Sequence, residues 1–246
     1  METIQILGVN VACLDLPGLL TTALAWSRDQ CRRTIFYANA HCLNLAVDDI
    51  EYRQILNRAD LVYADGISLV LSSWLLRGCG LHKLTGADWI DDFCALAEQN
   101  GLQLYILAGQ DNVACQAMKN LLSRYPGLKI VGAADGLFEK QSLSEVLQDI
   151  HRSGPHVVMV GMGTPLQEKW IAAYREQIAA PLCWAVGALF DYIAGVEPRA
   201  PRWMIRMGLE WTWRLLVNPH GKWRRYLIGN PLFIYRVLRQ KIDRFP

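Results

Sequence analysis

Short apolar runs recur along the first two thirds of the chain: Arg33–Tyr37, Leu61–Ala64, Leu104–Ala108, Lys129–Gly132, Val157–Val160 and Cys183–Val186. Helical patterns of about ten to fifteen residues separate them, and strands joined through helices imply crossover connections and a largely parallel sheet. One helix is predicted over Ala46–Ala59, with Ile55 near its end, and another opens at Asp111-Asn112 and stops before Tyr125-Pro126-Gly127. The longest apolar run, Ala179–Phe190, contains a proline and stops at Asp191, so it reads as a buried strand with its turn. The expected fold is α/β: a Rossmann-like, largely parallel sheet flanked by helices over residues 1–195. No repeat or low-complexity linker interrupts it.

Beyond Gly195 the strand signals stop. Met204, Met207, Trp211 and Leu215 mark one helical stripe, and Arg202, Arg206, Glu210 and Arg214 follow at four-residue spacing on another face, which predicts one helix ending at Asn218-Pro219. Glu210 bridging two arginines on a solvated face and arginine contact with a ligand are both open for Arg202 and Arg206. A second basic, aromatic helix is predicted over Leu232–Arg244. Residues 196–246 therefore read as a basic helical appendage.

Charge sharpens that division. From Arg199 onward there are 11 Lys+Arg and 2 acids, a net of +9, whereas the first 198 residues carry a net of −7. Bases mixed with Trp203, Trp211, Trp213 and Trp223 suit an anionic membrane surface or a polyphosphate, and nucleic acid is not the expected partner. No stretch has the length of a membrane-spanning helix, and the amino terminus lacks the pattern of a signal peptide. The seven cysteines are odd in number and form no C-x-x-C pair, which argues against a disulfide framework and for a reducing, cytoplasmic compartment. None of the cysteines, Cys79 and Cys183 included, is expected to be a thiol nucleophile. The five histidines have no metal-binding spacing and no Asp-x-Asp occurs, so no metal site and no cofactor is expected.

Candidate chemistry gathers at presumed strand ends, where open α/β sheets hold their ligands. Asp65, in Asp65-Gly66 after the Leu61–Ala64 strand, could take a proton from an attacking hydroxyl, or could simply form a turn. Asn39, just past another strand, could orient a sugar hydroxyl, and His41 lies two residues on. The segment Val157–Glu168 runs from an apolar strand through Gly161 and Gly163 to Thr164-Pro165, with Thr164 as N-cap and Gln167 completing a capping box. Amides freed at such a helix start bind phosphate, but the third glycine of a dinucleotide fingerprint is missing, so a nucleotide sugar fits better than a nicotinamide cofactor. Gly187 and Asp191 repeat the strand-to-turn design, with Asp191 either meeting a nucleotide or capping a helix. Gly109, Lys83, Asp88 in Gly86-Ala87-Asp88, and Asp135 in Asp135-Gly136 add groups at further strand ends.

The ordered set NAxxL at Asn39, YADG at Asp65, TGAD at Asp88, GMGTPLQE at Gly161, VGALFDYIAG at Gly187, RAP at Arg199 and GLEWTWRLL at Gly208 resembles the WecG/TagA/CpsF glycosyltransferase family over residues 35–230. The resemblance implies a metal-independent, inverting transfer of a sugar from a UDP-sugar donor to a polyprenyl-diphosphate-linked acceptor. It also implies a peripheral, cytoplasmic enzyme on the inner face of the cell membrane, acting in cell-surface polysaccharide synthesis. By resemblance Asp65 is the general base, and Asn39 and Gln167 are ligands of the donor sugar or acceptor. Lys83, Asp88, Asp135 and Arg199 join the substrate site, while Arg214 and Arg224 of the appendage close over the diphosphates. Gly109, Gly161, Gly163, Thr164, Gly187 and Asp191 are assigned to the nucleotide.

The chain departs from the family in having Tyr37 where threonine is usual, Lys83 where arginine is common, and Gly221 in the appendage. The lysine keeps the charge but loses bidentate geometry. N-acetylmannosamine, its uronic acid and a neutral hexose all stay open as the donated sugar, and a homo-oligomer stays open too. Two rival functions are a non-catalytic UDP-binding scaffold on the membrane, and an enzyme that modifies the nucleotide sugar without an acceptor.

Overall fold

The computed structural model describes residues 1–76, 80–109, 112–136 and 143–244. The Cys79 thiol and Asp111 considered above lie outside them. All six predicted strands form: β3 (Arg33–Ala38), β4 (Leu61–Ala64), β5 (Gln103–Ala108), β6 (Lys129–Ala134), β7 (Val157–Gly161) and β8 (Leu182–Ala185). They pair in parallel in the order β4-β3-β8-β7-β5-β6. Residues of β4, β7 and β8 are buried throughout, as a sheet covered by helices on both faces requires. Alternate side chains feed two cores: Phe36, Tyr105, Leu107 and Val158 on one face, Ile35, Leu104, Ile106 and Trp184 on the other.

Ahead of the sheet lies an antiparallel hairpin that the sequence analysis did not anticipate, β1 (Thr3–Ile6) and β2 (Val9–Ala12). Leu7 and Gly8 both have positive φ, 48° and 81°, the backbone of a tight two-residue turn that matches strand twist. Leucine is a poor advertisement for such a turn.

Two helices predicted as continuous are broken. The Ala46–Ala59 segment is two helices, Ala40–Asp48 and Ile50–Arg58, because Asp49 leaves helical geometry and its carboxylate accepts from Tyr52 N at 3.0 Å. The Arg202–Val217 stripe splits into Arg202–Arg206 and Glu210–Val217 at Gly208, whose φ is 72°. The last helix, Gly229–Arg244, starts three residues before its predicted first residue.

That last helix does not stand apart from the sheet. Phe233 and Val237 are buried in the same core as Phe36 and Val158. Asn44 donates to Gly229 O at 2.7 Å, and Arg236 bonds Asn44 O at 2.9 Å and Asp48 at 2.6 Å. Gln240 accepts from Leu7 N at 2.8 Å and donates to Gln5 O at 3.0 Å. The change of charge near residue 195 is therefore not a change of packing at the end of the chain. Cys31, Cys42, Cys94, Cys115 and Cys183 are free, while Cys13 is disulfide-bonded, an exception to the cysteine reading. Among the described residues no helix is long and apolar enough to cross a membrane.

Candidate active site

Parallel pairing creates the centre of the site. Ala38 of β3 stands opposite Ala64 of β4, so the next residues, Asn39 and Asp65, emerge side by side at the carboxyl edge. Asp65 N donates to Ala38 O at 2.8 Å, and Gly66, at φ 95°, turns the chain at once into the helix Ile67–Leu75. Asn39 caps the helix Ala40–Asp48: its Oδ1 accepts from His41 N and Cys42 N, both at 3.1 Å. Its amide nitrogen is thereby aimed at Asp65 Oδ2, 3.2 Å away. Among the described residues this is the carboxylate's one side-chain hydrogen bond, and Asp65 borders two cavities.

Two cavities meet at Asp65. A groove of about 670 Å³ is lined by the apolar residues Leu71 and Leu75 of the helix Ile67–Leu75, Phe233, Ile234 and Val237 of the last helix, and Trp211 and Tyr226. A polar pocket of about 100 Å³ lies against Tyr37, Gly163, Thr164 and Tyr192. Asn39, Asp65, Thr85, Arg214 and Arg225 border both.

Arg214 lies over the Tyr192 ring at 5.1 Å, with Glu210 at 3.7 Å. Burial works against its charge, but Tyr192, Tyr226, Glu210 and Asp65 outweigh it, and its pKa rises above the usual arginine value. Arg225 is the cation that the sequence analysis missed. Arg224, the residue expected there, is exposed and lies over the Trp223 ring at 5.4 Å. The chain runs here through a π-helical turn, Arg224–Ile228, which shifts the phase of successive side chains and leaves the second arginine lining the same two cavities as Asp65. Arg225 and burial together hold His41 neutral: burial first, then the guanidinium, lower its pKa to about 4.

The segment after β7 is built differently from the expected capping box. The helix begins at Leu166 without a side-chain cap, and Thr164-Pro165 is a cis peptide. Thr164 Oγ1 instead donates to Glu168 Oε1 at 3.0 Å. Gln167, expected as a substrate ligand, is 0% exposed and borders neither cavity: its Oε1 accepts from Gly187 N at 2.9 Å and its Nε2 donates to Glu168 Oε1 at 2.7 Å. Glu168 Oε2 is buried without a partner, and burial pushes the carboxyl up to about 7 against the pull of Gln167 and Thr164. Tyr37 Oη lies 3.1 Å from Thr164 Oγ1, and burial, with Cys42, Glu168 and Asp65 nearby, holds this phenol protonated far above its ordinary range.

Gly161 and Gly187 serve packing: a Cβ on Gly161 would stand 2.7 Å from Gly187 O, and one on Gly187 would stand 2.5 Å from Tyr37 Oη. The Gln167-Glu168-Ile171 spacing already puts Glu168 on the buried face of its helix, which was the signal available for finding it.

The remaining residues divide. Lys83 borders the groove and pairs with Asp88 at 3.2 Å; Arg199 pairs with the other Asp88 oxygen and donates to Ala87 O at 2.7 Å. Asp88 is thus engaged by two cations, of which Lys83 borders the groove. Asp191 does not cap its helix and borders neither cavity; burial, with Glu197 near, raises its pKa. Gly109 and Asp135 sit apart, at the ends of β5 and β6, the latter roughly 24 Å across the sheet from β4 at ordinary strand spacing. There Gly109 O accepts from Gly136 N at 2.9 Å and Asp135 Oδ2 from Asn112 N at 3.1 Å. They stabilise a turn away from Asp65. Cys183 is buried, which pushes its thiol up to about 11.

Compared with known proteins, residues 4–245 match the family described as "Glycosyl transferase WecG/TagA/CpsF family". An N-acetylglucosaminyldiphosphoundecaprenol N-acetyl-beta-D-mannosaminyltransferase of Bacillus subtilis (strain 168) is 31% identical over 199 residues, covering 81% of this chain and 76% of the relative. A protein of the same name from Staphylococcus aureus (strain MRSA252) is 26% identical over 242 residues, 97% of this chain and 93% of the relative.

Proposed function

Because the chain belongs to the WecG/TagA/CpsF family and is a glycosyltransferase, we propose that it moves an N-acetylmannosamine-type sugar from a UDP-sugar to a polyprenyl-diphosphate-linked N-acetylglucosamine. The work belongs to cell-envelope polymer synthesis. The relatives' names support this acceptor and sugar.

The observation that carries the reading is Asp65 at the junction of a polar pocket and an apolar groove, with two arginines bordering both. The pocket takes the donor sugar. The groove takes the acceptor, its prenyl carbons against the apolar walls and its sugar towards Asp65. Asp65 accepts the proton of the acceptor hydroxyl as that oxygen bonds the anomeric carbon; the bond from that carbon to the diphosphate oxygen breaks on the opposite face, and UDP leaves with the electron pair. One displacement inverts the anomeric centre. Negative charge growing on the diphosphate meets Arg214 and Arg225, which fill the electrostatic role a divalent ion has in other transferases. Asn39 keeps Asp65 turned towards the hydroxyl. The alternative of a non-catalytic scaffold leaves a carboxylate at the junction of both cavities without a task.

Replacing Asp65 with Asn should lower transfer at least about a hundredfold, the contribution of a positioned general base. UDP binding should survive the change, wild-type turnover should survive a chelator, and the product linkage should be of inverted configuration by NMR. Full turnover in the variant, or loss of wild-type turnover on chelation, contradicts the mechanism.

A further inference from the structure

A hydrogen-bond chain of fixed direction runs away from the small pocket. Glu168 Oε1 receives two donors, Thr164 Oγ1 at 3.0 Å and Gln167 Nε2 at 2.7 Å. Gln167 cannot turn its amide over, because its own oxygen is held by Gly187 N at 2.9 Å. With no proton on Glu168 Oε1, the single proton of Thr164 goes to that oxygen, the shortest of its contacts, ahead of Tyr37 Oη at 3.1 Å and Cys42 Sγ at 3.8 Å. The 3.1 Å contact between Tyr37 and Thr164 is then a bond in which Tyr37 donates. A phenol has one proton. With that proton facing Thr164, Tyr37 Oη has lone pairs alone to offer a ligand, and the nearby Asp65 carboxylate likewise accepts.

Tyr37 and Thr164 both border the small pocket, and the hydroxyl is fixed in place by Thr164 on one side and Gly187 on the other. A group that meets the Tyr37 hydroxyl must be a hydrogen-bond donor. A hydroxyl or an amide N–H qualifies; a phosphate oxygen or an acyl carbonyl, which can accept alone, is refused there.

We propose that Tyr37 is a specificity-determining residue that accepts a hydrogen bond from a hydroxyl or acetamido N–H of the donor sugar, with Thr164 and Glu168 as positioning residues that hold its lone pairs towards the pocket. This rests on the reading that the small pocket takes the sugar of the nucleotide donor.

The test is calorimetric binding, without acceptor, of a UDP-N-acetylhexosamine, its single-deoxy and deoxyfluoro analogues, and UDP alone, to wild type, Tyr37→Phe and Thr164→Val. One neutral hydrogen bond is worth about a threefold to tenfold change in dissociation constant. One deoxy analogue should lose that factor on wild type, and its fluorinated counterpart should regain nothing, since fluorine cannot donate. If the sugar's donor is its acetamido N–H, the matching analogue is the ester in place of the amide.

Tyr37→Phe should bind the parent donor weaker by the same factor and no longer distinguish it from that analogue, while binding UDP unchanged. Thr164→Val releases the Tyr37 proton towards the pocket, so the fluorinated analogue should gain on the deoxy one. Losses that multiply between analogue and Tyr37→Phe, or a fluorinated analogue that equals the parent on wild type, overturn the inference alone. Failure of wild type to bind any UDP-sugar overturns the donor-site reading and this inference with it. Unchanged UDP binding distinguishes a lost contact from a misfolded variant.

Discussion

A carboxyl cut off from water, as Glu168 is, resists ionisation, because the charged form has lost its solvent and one oxygen has no partner to replace it. Its value of about 7 in the fold lies above the 4.5 of a free glutamate. The folded state then binds the proton more tightly, so this contribution to stability is complete below pH 4.5 and is lost as pH rises through 7, roughly 3 kcal/mol in all. His41 works in the opposite sense: with its value lowered from 6.5 to about 4, its contribution is present above pH 6.5 and lost on acidification. Comparing Glu168→Gln with wild type isolates the first effect. Urea unfolding between pH 5 and 8 should show wild type losing stability relative to the variant as pH rises, and parallel curves would contradict the assignment. At this scale much was legible: Asp65, Asn39, Lys83, Thr164 and Arg214 all border the cavities. Gln167 was read as a ligand and is buried, because a capping box and a buried hydrogen-bond network call for the same residue types.

Among elements, the π-helical turn at Arg224–Ile228 decides which of two adjacent arginines borders the cavities. A regular helical reading has no means of choosing between two adjacent arginines, since the choice depends on how the turn is wound, with its Tyr226 packed against Trp211 at 6.1 Å. Arg225→Ala should reduce transfer about tenfold to a hundredfold, the range for a hydrogen bond to a charged group, mainly through weaker substrate diphosphate binding. Arg224→Ala, at an exposed position, should leave turnover with a short-chain soluble acceptor within about twofold, as surface substitutions usually do. Equal losses in the two variants would show that the turn does not discriminate between them. The broken helices teach a related lesson. A hydrophobic stripe continues through Asp49 and through Gly208, yet a side-chain cap at one and a left-handed backbone at the other end the helix. Asp49 three residues before Tyr52 was a readable cap signal; the need for glycine at 208, where a Cβ would stand 3.1 Å from Ile67 Cγ2, is visible only once the two elements meet.

Over the whole molecule, charge and apolar exposure coincide. Trp203, Met207, Leu216 and Trp223 are exposed on the segment whose net charge is +9 from Arg199 onward, and Trp74 is 70% exposed on the helix that walls the groove. Exposed aromatics among bases are suited to a reversible hold on anionic lipid. Vesicles containing an anionic lipid should therefore sediment the protein, with binding that weakens as salt is raised; equal binding to neutral vesicles would count against the electrostatic part. The last helix also belongs to the core. Phe233→Ala should cost about 3–5 kcal/mol in urea unfolding, and a truncation at Gly195 should be unstable because it removes Phe233 and Val237 from the shared core. The sequence by itself determined the six strands, the parallel sheet, the family and the acid at position 65, because apolar period, glycine turns and local motifs are properties of neighbouring residues. The tertiary structure alone decided that Asn39 faces Asp65, that Arg225 joins Arg214 beside them, that Asp135 lies across the sheet, and that the final helix closes the groove. Those relations arise from strand order and packing between segments far apart in the chain, which no local pattern encodes.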